Sequence, residues 1–182
     1  MRRVVPGPCP VCNDEIEYIY QTDEIPYFSE ILIISALCPS CGYRFVDCQL
    51  LKNAEPSRWQ MDIRSDEDLS VRVIRSMNAT ISIPELGVRI DPGPACEGFV
   101  SNVEGVLARI EKVVGGLLLG NDDASERERI NSLLEKIGEV REGRLDITLV
   151  VEDPTGNSAI LSDRAAVSPY VPEDDQDDET GN

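Results

Sequence analysis

The sequence predicts a mainly β chain with one helical hairpin, an α+β protein, and three observations carry the prediction. Two Cys-Pro-x-Cys pairs near the start, Cys9-Pro-Val-Cys12 and Cys38-Pro-Ser-Cys41, bracket a stretch that reads as extended. Most of the chain beyond them alternates apolar and polar residues over short runs, the pattern of half-buried strands. Between those runs lie two stretches with apolar residues at helical spacing.

The first 55 residues read as one module. Two residues between cysteines let a tight turn aim both sulfurs at one ion, and the proline in each pair and Gly42 after the second suit such a turn. Cys9, Cys12, Cys38 and Cys41 therefore make a closed tetrahedral site for one structural Zn2+. The insert reads as two extended segments, Glu15 to Tyr20 and Phe28 to Leu37, joined by a turn over Gln21 to Pro26. A third strand runs from Tyr43 to Leu51, which completes a zinc ribbon. A redox pair would normally be single and open a helix, and disulfides are rare in a cytoplasmic chain. Four sulfurs leave no position for a metal-bound water, so the ion serves the fold. Cys48 and Cys96 stand apart and read as small buried hydrophobes.

From residue 56 to about 170 the chain reads as a second module. Trp59, Met61 and Ile63 alternate with Gln60, Asp62 and Arg64; Ile81 with Ile83, and Val88 with Ile90, continue the pattern. Pro84, Gly87, Pro92, Gly93 and Pro94 keep these strands short, which suits a sandwich or barrel better than a parallel βαβ sheet. A hairpin of helices interrupts them at about 102–141. Ser101-Asn-Val-Glu104 and Ser125-Glu-Arg-Glu128 read as capping boxes. Strands resume with Leu145, Ile147, Leu149 and Val151. After a turn at Asp153-Pro-Thr-Gly156, Ser158 to Leu161 is placed beside them. Residues 171–182, holding six acids and no base, have nothing to bury and read as a disordered acidic tail.

Charge and composition exclude several functions. The 182 residues carry 34 acidic and 17 basic side chains, a net charge of −17, and no histidine. Ser-His-Asp and Cys-His catalysis are thereby absent, as is a Cys2His2 site. An acidic chain gains little from phosphate backbones or anionic lipid. The charged start lacks the apolar core of a signal peptide, and no apolar run approaches the ~20 residues of a membrane span. The expected location is cytoplasmic.

Four stretches share an order and spacing with a known family. They are the cysteine pairs with Gly42-Tyr43-Arg44, the run Val73 to Gly87, the run Glu97 to Gly105, and Glu152-Asp-Pro-Thr-Gly-Asn-Ser158. Together they cover residues 9–161 and resemble the ZPR1 zinc-finger family, in its single-module archaeal form. The resemblance implies a zinc ribbon followed by a double-stranded β-helix, a jelly-roll-like domain, with a helical-hairpin insertion. Eukaryotic members carry two such modules and bind translation elongation factor 1A as a dedicated chaperone. A similar protein partner is implied here, with Arg75, Ser76, Glu85, Asp153, Gly156, Asn157 and Ser158 as candidate contacts.

Physics alone leaves those residues two roles. Asp153 to Ser158 is a sufficient turn sequence, and Arg75 and Ser76 could pair with Glu85 or Glu104 or face a client. Glu97 and Glu104 come with no nucleophile, phosphate loop or open metal position, so the chain reads as a binding protein, not an enzyme. The alternative is a nucleic-acid-binding ribbon of the transcription or translation apparatus. Residues 1–55 count against it, with four basic side chains against eight acidic ones.

Overall fold

The computed structural model describes residues 1–24, 30–51, 55–93, 96–118 and 123–172. The head of the chain is an antiparallel sheet of β1 (Arg2–Pro8), β2 (Glu15–Glu24), β3 (Glu30–Leu37) and β4 (Arg44–Leu50), in chain order. The first strand lies outside the sequence expectation, because Pro6, Gly7 and Pro8 speak against a strand. It sits at the sheet edge, where a missing N–H costs no ladder bond. The second strand overruns the expected turn: Gln21 to Glu24 stay paired, with Glu24 opposite Glu30. The rest of that turn and Phe28 lie outside the described residues.

Among its described residues the second module holds eight strands and two α-helices. One sheet is β12 (Ala166–Pro169), β5 (Ser57–Ile63), β10 (Ile147–Asp153), β7 (Thr80–Ile83) and β8 (Val88–Ile90), in that order. The other is β11 (Ala159–Leu161), β6 (Arg72–Arg75) and β9 (Phe99–Asn102). Met61, Ile81, Leu149 and Val151 from the first sheet share one buried core with Val73 and Ile160 from the second. The two sheets thus close on each other as the jelly-roll expectation requires.

Two sequence expectations are corrected here. Ser158 to Leu161 does not return beside β10, because that strand is already paired on both sides, with β5 and β7. Burial of Val150 as well as Leu149 and Val151 reflects that central position. The chain instead crosses to the other sheet, where Ile160 sits opposite Val73. The strand β12, unforeseen because Val167 is exposed and Pro169 ends it, covers the outer edge of β5.

The helices are α1 (Val103–Leu118) and α2 (Ala124–Arg141). Both caps lie off the predicted positions. Asn102, not Ser101, accepts the Gly105 N–H at 2.8 Å, since it directly precedes the first helical residue, Val103. Asp123, not Ser125, caps the second helix by accepting the Ser125 N–H at 2.8 Å. Each carboxamide or carboxylate satisfies a donor that the helix itself cannot. Arg141 at the end of α2 reaches Glu104 at 3.0 Å and Glu111 at 2.9 Å on α1, so the pair runs antiparallel. Val103, Val106, Leu107 and Ile110 of one and Ile137 and Val140 of the other enter the core. Residues 119–122, between the helices, and residues 173–182 of the acidic tail lie outside the described residues.

A seam joins the modules. Ile31 and Cys48 of the ribbon are buried against Ile74 and Ala159 of the smaller sheet, with Trp59 alongside. Polar ties accompany this apolar contact: the Gly98 N–H donates to the Val46 carbonyl at 2.7 Å, and the Met77 N–H to the Asp47 carboxylate at 3.2 Å. A Cβ on Gly98 would stand 3.0 Å from both the Asp47 Cα and the Cys48 N, and 3.1 Å from the Arg75 carbonyl. All three are backbone atoms with little room to yield. Gly98→Ala is therefore expected to open the seam at a cost of about 1–3 kcal/mol, read as a lower thermal midpoint with zinc content unchanged.

Candidate metal centre and the buried polar junction

Both cysteine pairs sit in matching turns. The first lies between β1 and β2, where the Asn13 N–H donates to the Cys9 carbonyl at 2.9 Å; the second lies between β3 and β4, where the Gly42 N–H donates to the Cys38 carbonyl at 2.9 Å. Each turn ends in a left-handed residue, Asn13 at φ 64° and Gly42 at φ 76°. Asparagine enters that region more readily than most residues with a side chain, so the two turns are alike without sharing the residue.

The turns bring all four Sγ atoms within 4.8 Å of one another. Cys9 and Cys41 are 3.7 Å apart, and Cys12 and Cys38 3.5 Å. A tetrahedron with Zn–S bonds of about 2.3 Å has edges of about 3.8 Å, so the donor set fits zinc. Burial raises the Cys9 thiol, but the N–H groups of Cys12 and Val11 outweigh it and bring the group to about 7. Against the Asp14 N–H, burial and sharing with the other sulfurs lift Cys12 to about 12, and Cys41 is raised as well. Four thiolates at this separation repel one another, and a divalent cation is what lets all four ionise together. Cys9, Cys12, Cys38 and Cys41 hold the zinc, which leaves no coordination position for a substrate.

Cys48 is the small buried hydrophobe that the sequence suggests. It is 1% exposed, and burial, with Asp47 beside it, pushes its thiol up to about 12. Cys96 departs from that reading. It is only half-buried, and its sulfur accepts from Arg75 Nη1 at 2.7 Å.

The other candidate residues fall into three places. Ser76, Asp153 and Ser158 meet inside the second module. The Asp153 carboxylate, fully buried, accepts from Ser76 Oγ at 2.8 Å, Ser158 Oγ at 2.6 Å, the Thr155 N–H at 2.8 Å and Thr155 Oγ1 at 2.6 Å. Ser158 Oγ in turn accepts the Ser76 N–H at 2.9 Å. Gly156 completes the turn at φ 69°, and Asn157 donates to Thr155 Oγ1 at 3.1 Å. Thr155, not among the candidates taken from the sequence, thus supplies two of the four donors.

Arg75 is equally buried but points elsewhere, giving Nε and Nη2 to the Ala79 carbonyl at 3.1 and 2.7 Å. It meets neither Glu85 nor Glu104. The first of those is exposed and accepts the Thr148 N–H at 3.0 Å, which outweighs its desolvation and lowers its pKa. The second pairs with Arg141. Of the roles left open for Arg75 and Ser76, pairing with Glu85 or Glu104 does not occur: Arg75 bonds the Ala79 carbonyl and Ser76 bonds Asp153.

Comparison with known proteins agrees with this architecture. The model of the ZPR1 zinc-finger domain matches residues 3–54, and that of the ZPR1 jelly-roll domain matches residues 67–181. A ZPR1-like protein of Pyrococcus horikoshii is 41% identical over 169 residues, covering 87% of this chain and 73% of the relative. One from Methanocaldococcus jannaschii is 40% identical over 157 residues, covering 85% and 79%. A Schizosaccharomyces pombe protein named zinc finger chaperone zpr1 is 33% identical over 143 residues, 75% of this chain but 30% of the relative. With the four-sulfur centre in one module and the two closed sheets in the other, each matched by its own domain of the same family, the chain belongs to the ZPR1 zinc-finger family.

Proposed function

We propose that the chain is a zinc-dependent adaptor or chaperone whose partner is translation elongation factor 1A. The observation that carries the reading is the joint match of ribbon and jelly-roll domain to a family in which a relative is named a chaperone. A closed four-sulfur centre supports it, because such a metal holds shape and does no chemistry of its own. On this reading the chain is not an enzyme and works in the cytoplasm; no helix among the described residues is long and apolar enough to cross a membrane.

Of the candidate contacts, Arg75, Ser76, Asp153 and Ser158 are buried, so their part is to set the shape of the loops around them. Glu85 and Asn157 retain exposure and are the ones left to touch a partner. The competing nucleic-acid reading lacks a basic ribbon.

Co-purification tests the proposal. Tagged chain expressed in its native cytosol is expected to enrich elongation factor 1A over a Cys38→Ser control. Equal recovery from both would overturn it.

A further inference from the structure

A cleft of about 750 Å3 opens between the larger sheet's β8 edge, the segment 96–99 and α1. That volume lies within the roughly 300–1,000 Å3 of ligand sites. Ile81, Val106 and Ile110 form an apolar floor, and Phe99 and Val113 its flanks. Val113 and Leu117 on the same helix are 66% and 57% exposed, so the apolar surface continues past the cleft mouth.

Two features say what kind of molecule fits. The first is backbone: three consecutive residues, Val88, Arg89 and Ile90, line the cleft, so the strand borders it along its edge and not with one face. Among the described residues this strand is paired only with β7. An open edge beside an apolar floor is the arrangement that accepts an added strand. The second is charge. The lining holds four cations against one acid, Glu97, in a chain of net charge −17. Arg89 is taken up by Asp91 at 2.8 Å and Arg75 by the Ala79 carbonyl, so Arg109 and Lys112 are the two that the cleft offers. Arg109 lies over the Phe99 ring at 4.3 Å, and Lys112 is exposed without an ion pair among the described residues.

We infer that the cleft receives an extended acidic segment of a partner polypeptide, added as a strand beside β8. Alternate apolar side chains would settle on Ile81, Val106 and Ile110, and carboxylates would meet Arg109 and Lys112. The inference rests on the reading of the chain as a protein-binding module, and it names the face and the partner's chemistry.

The test uses the zinc-loaded full chain and a fluorescein-labelled heptapeptide alternating aspartate and valine. Saturable binding is expected, weakening as salt rises and lost when lysine replaces aspartate in the probe. Hydrogen exchange at residues 88–90 should slow on binding. Val113→Asp and Lys112→Glu, both on the exposed helix surface, should each weaken binding roughly tenfold with unchanged melting and zinc content.

Three results would overturn the inference. They are no saturable binding, equal binding by both variants, or a roughly tenfold gain on deleting residues 173–182, which would make the chain's own tail the occupant. If elongation factor 1A is captured by Val113→Asp while the probe fails, the cleft falls and the adaptor reading stands. If the probe binds and the factor is never captured, the reverse holds.

Discussion

Cys38→Ser is expected to cost the protein its zinc and, with it, the ordered sheet of β1 to β4. Structural sites of this kind supply about 10–16 kcal/mol of apparent binding free energy, as large as a typical domain's entire stability of about 5–15 kcal/mol. The ribbon's own apolar cluster is small: Ile16, Ala36 and two of the ligand cysteines themselves are its buried members. A serine hydroxyl at position 38 neither ionises like a thiol nor reaches as far, and the other three sulfurs are left crowded and uncompensated. Zinc content measured by atomic absorption should fall to background, and far-UV circular dichroism should show loss of strand. A protein that keeps one zinc and the native spectrum would refute this account of the centre.

The second large effect is expected from Asp153→Asn. The change is almost isosteric, so it isolates the charge and the acceptor count. In the native fold the carboxylate collects four hydrogen bonds, from Ser76, Ser158 and two atoms of Thr155. An amide keeps one oxygen and turns two N–H groups toward groups that are themselves donating. Each buried donor left unsatisfied costs about 1–3 kcal/mol, so a loss of roughly 3 kcal/mol or more is expected. Urea denaturation followed by tryptophan fluorescence would read it through Trp59. A loss below about 1 kcal/mol would mean that the network is incidental to the crossing from β10 to β11.

What can be seen in the sequence divides along physical lines. The zinc ligands are legible because the chemistry sits within four residues of chain, twice over, and needs no knowledge of the fold. Strands such as Trp59 to Ile63 are legible for a similar reason, since alternation is a local property. Partner choice is not. Nothing in Ser158 to Leu161 says which sheet it joins, and only the saturation of both edges of β10 decides it. The caps fall one or two residues from their expected places because Ser101 and Asn102, or Asp123 and Ser125, are all competent cap residues. The candidate contacts Ser76, Asp153 and Ser158 stand out as motif members, but their shared burial depends on atoms 77 residues apart in sequence. Cys96 departs from expectation for the same reason, its neighbour Arg75 being 21 residues away.

The seam at Ile31, Cys48, Ile74 and Ala159 changes what the metal means for the whole chain. A ligand that binds only the folded form raises stability by mass action, in proportion to the logarithm of its free concentration over its dissociation constant. Because Gly98 and Met77 are bonded directly to the ribbon's last strand, part of that gain passes to a module that contributes no sulfur to the site. The jelly-roll domain is thereby made responsive to the zinc activity of its surroundings. Withdrawing the metal is therefore expected to lower the melting temperature of the jelly-roll domain as well as that of the ribbon.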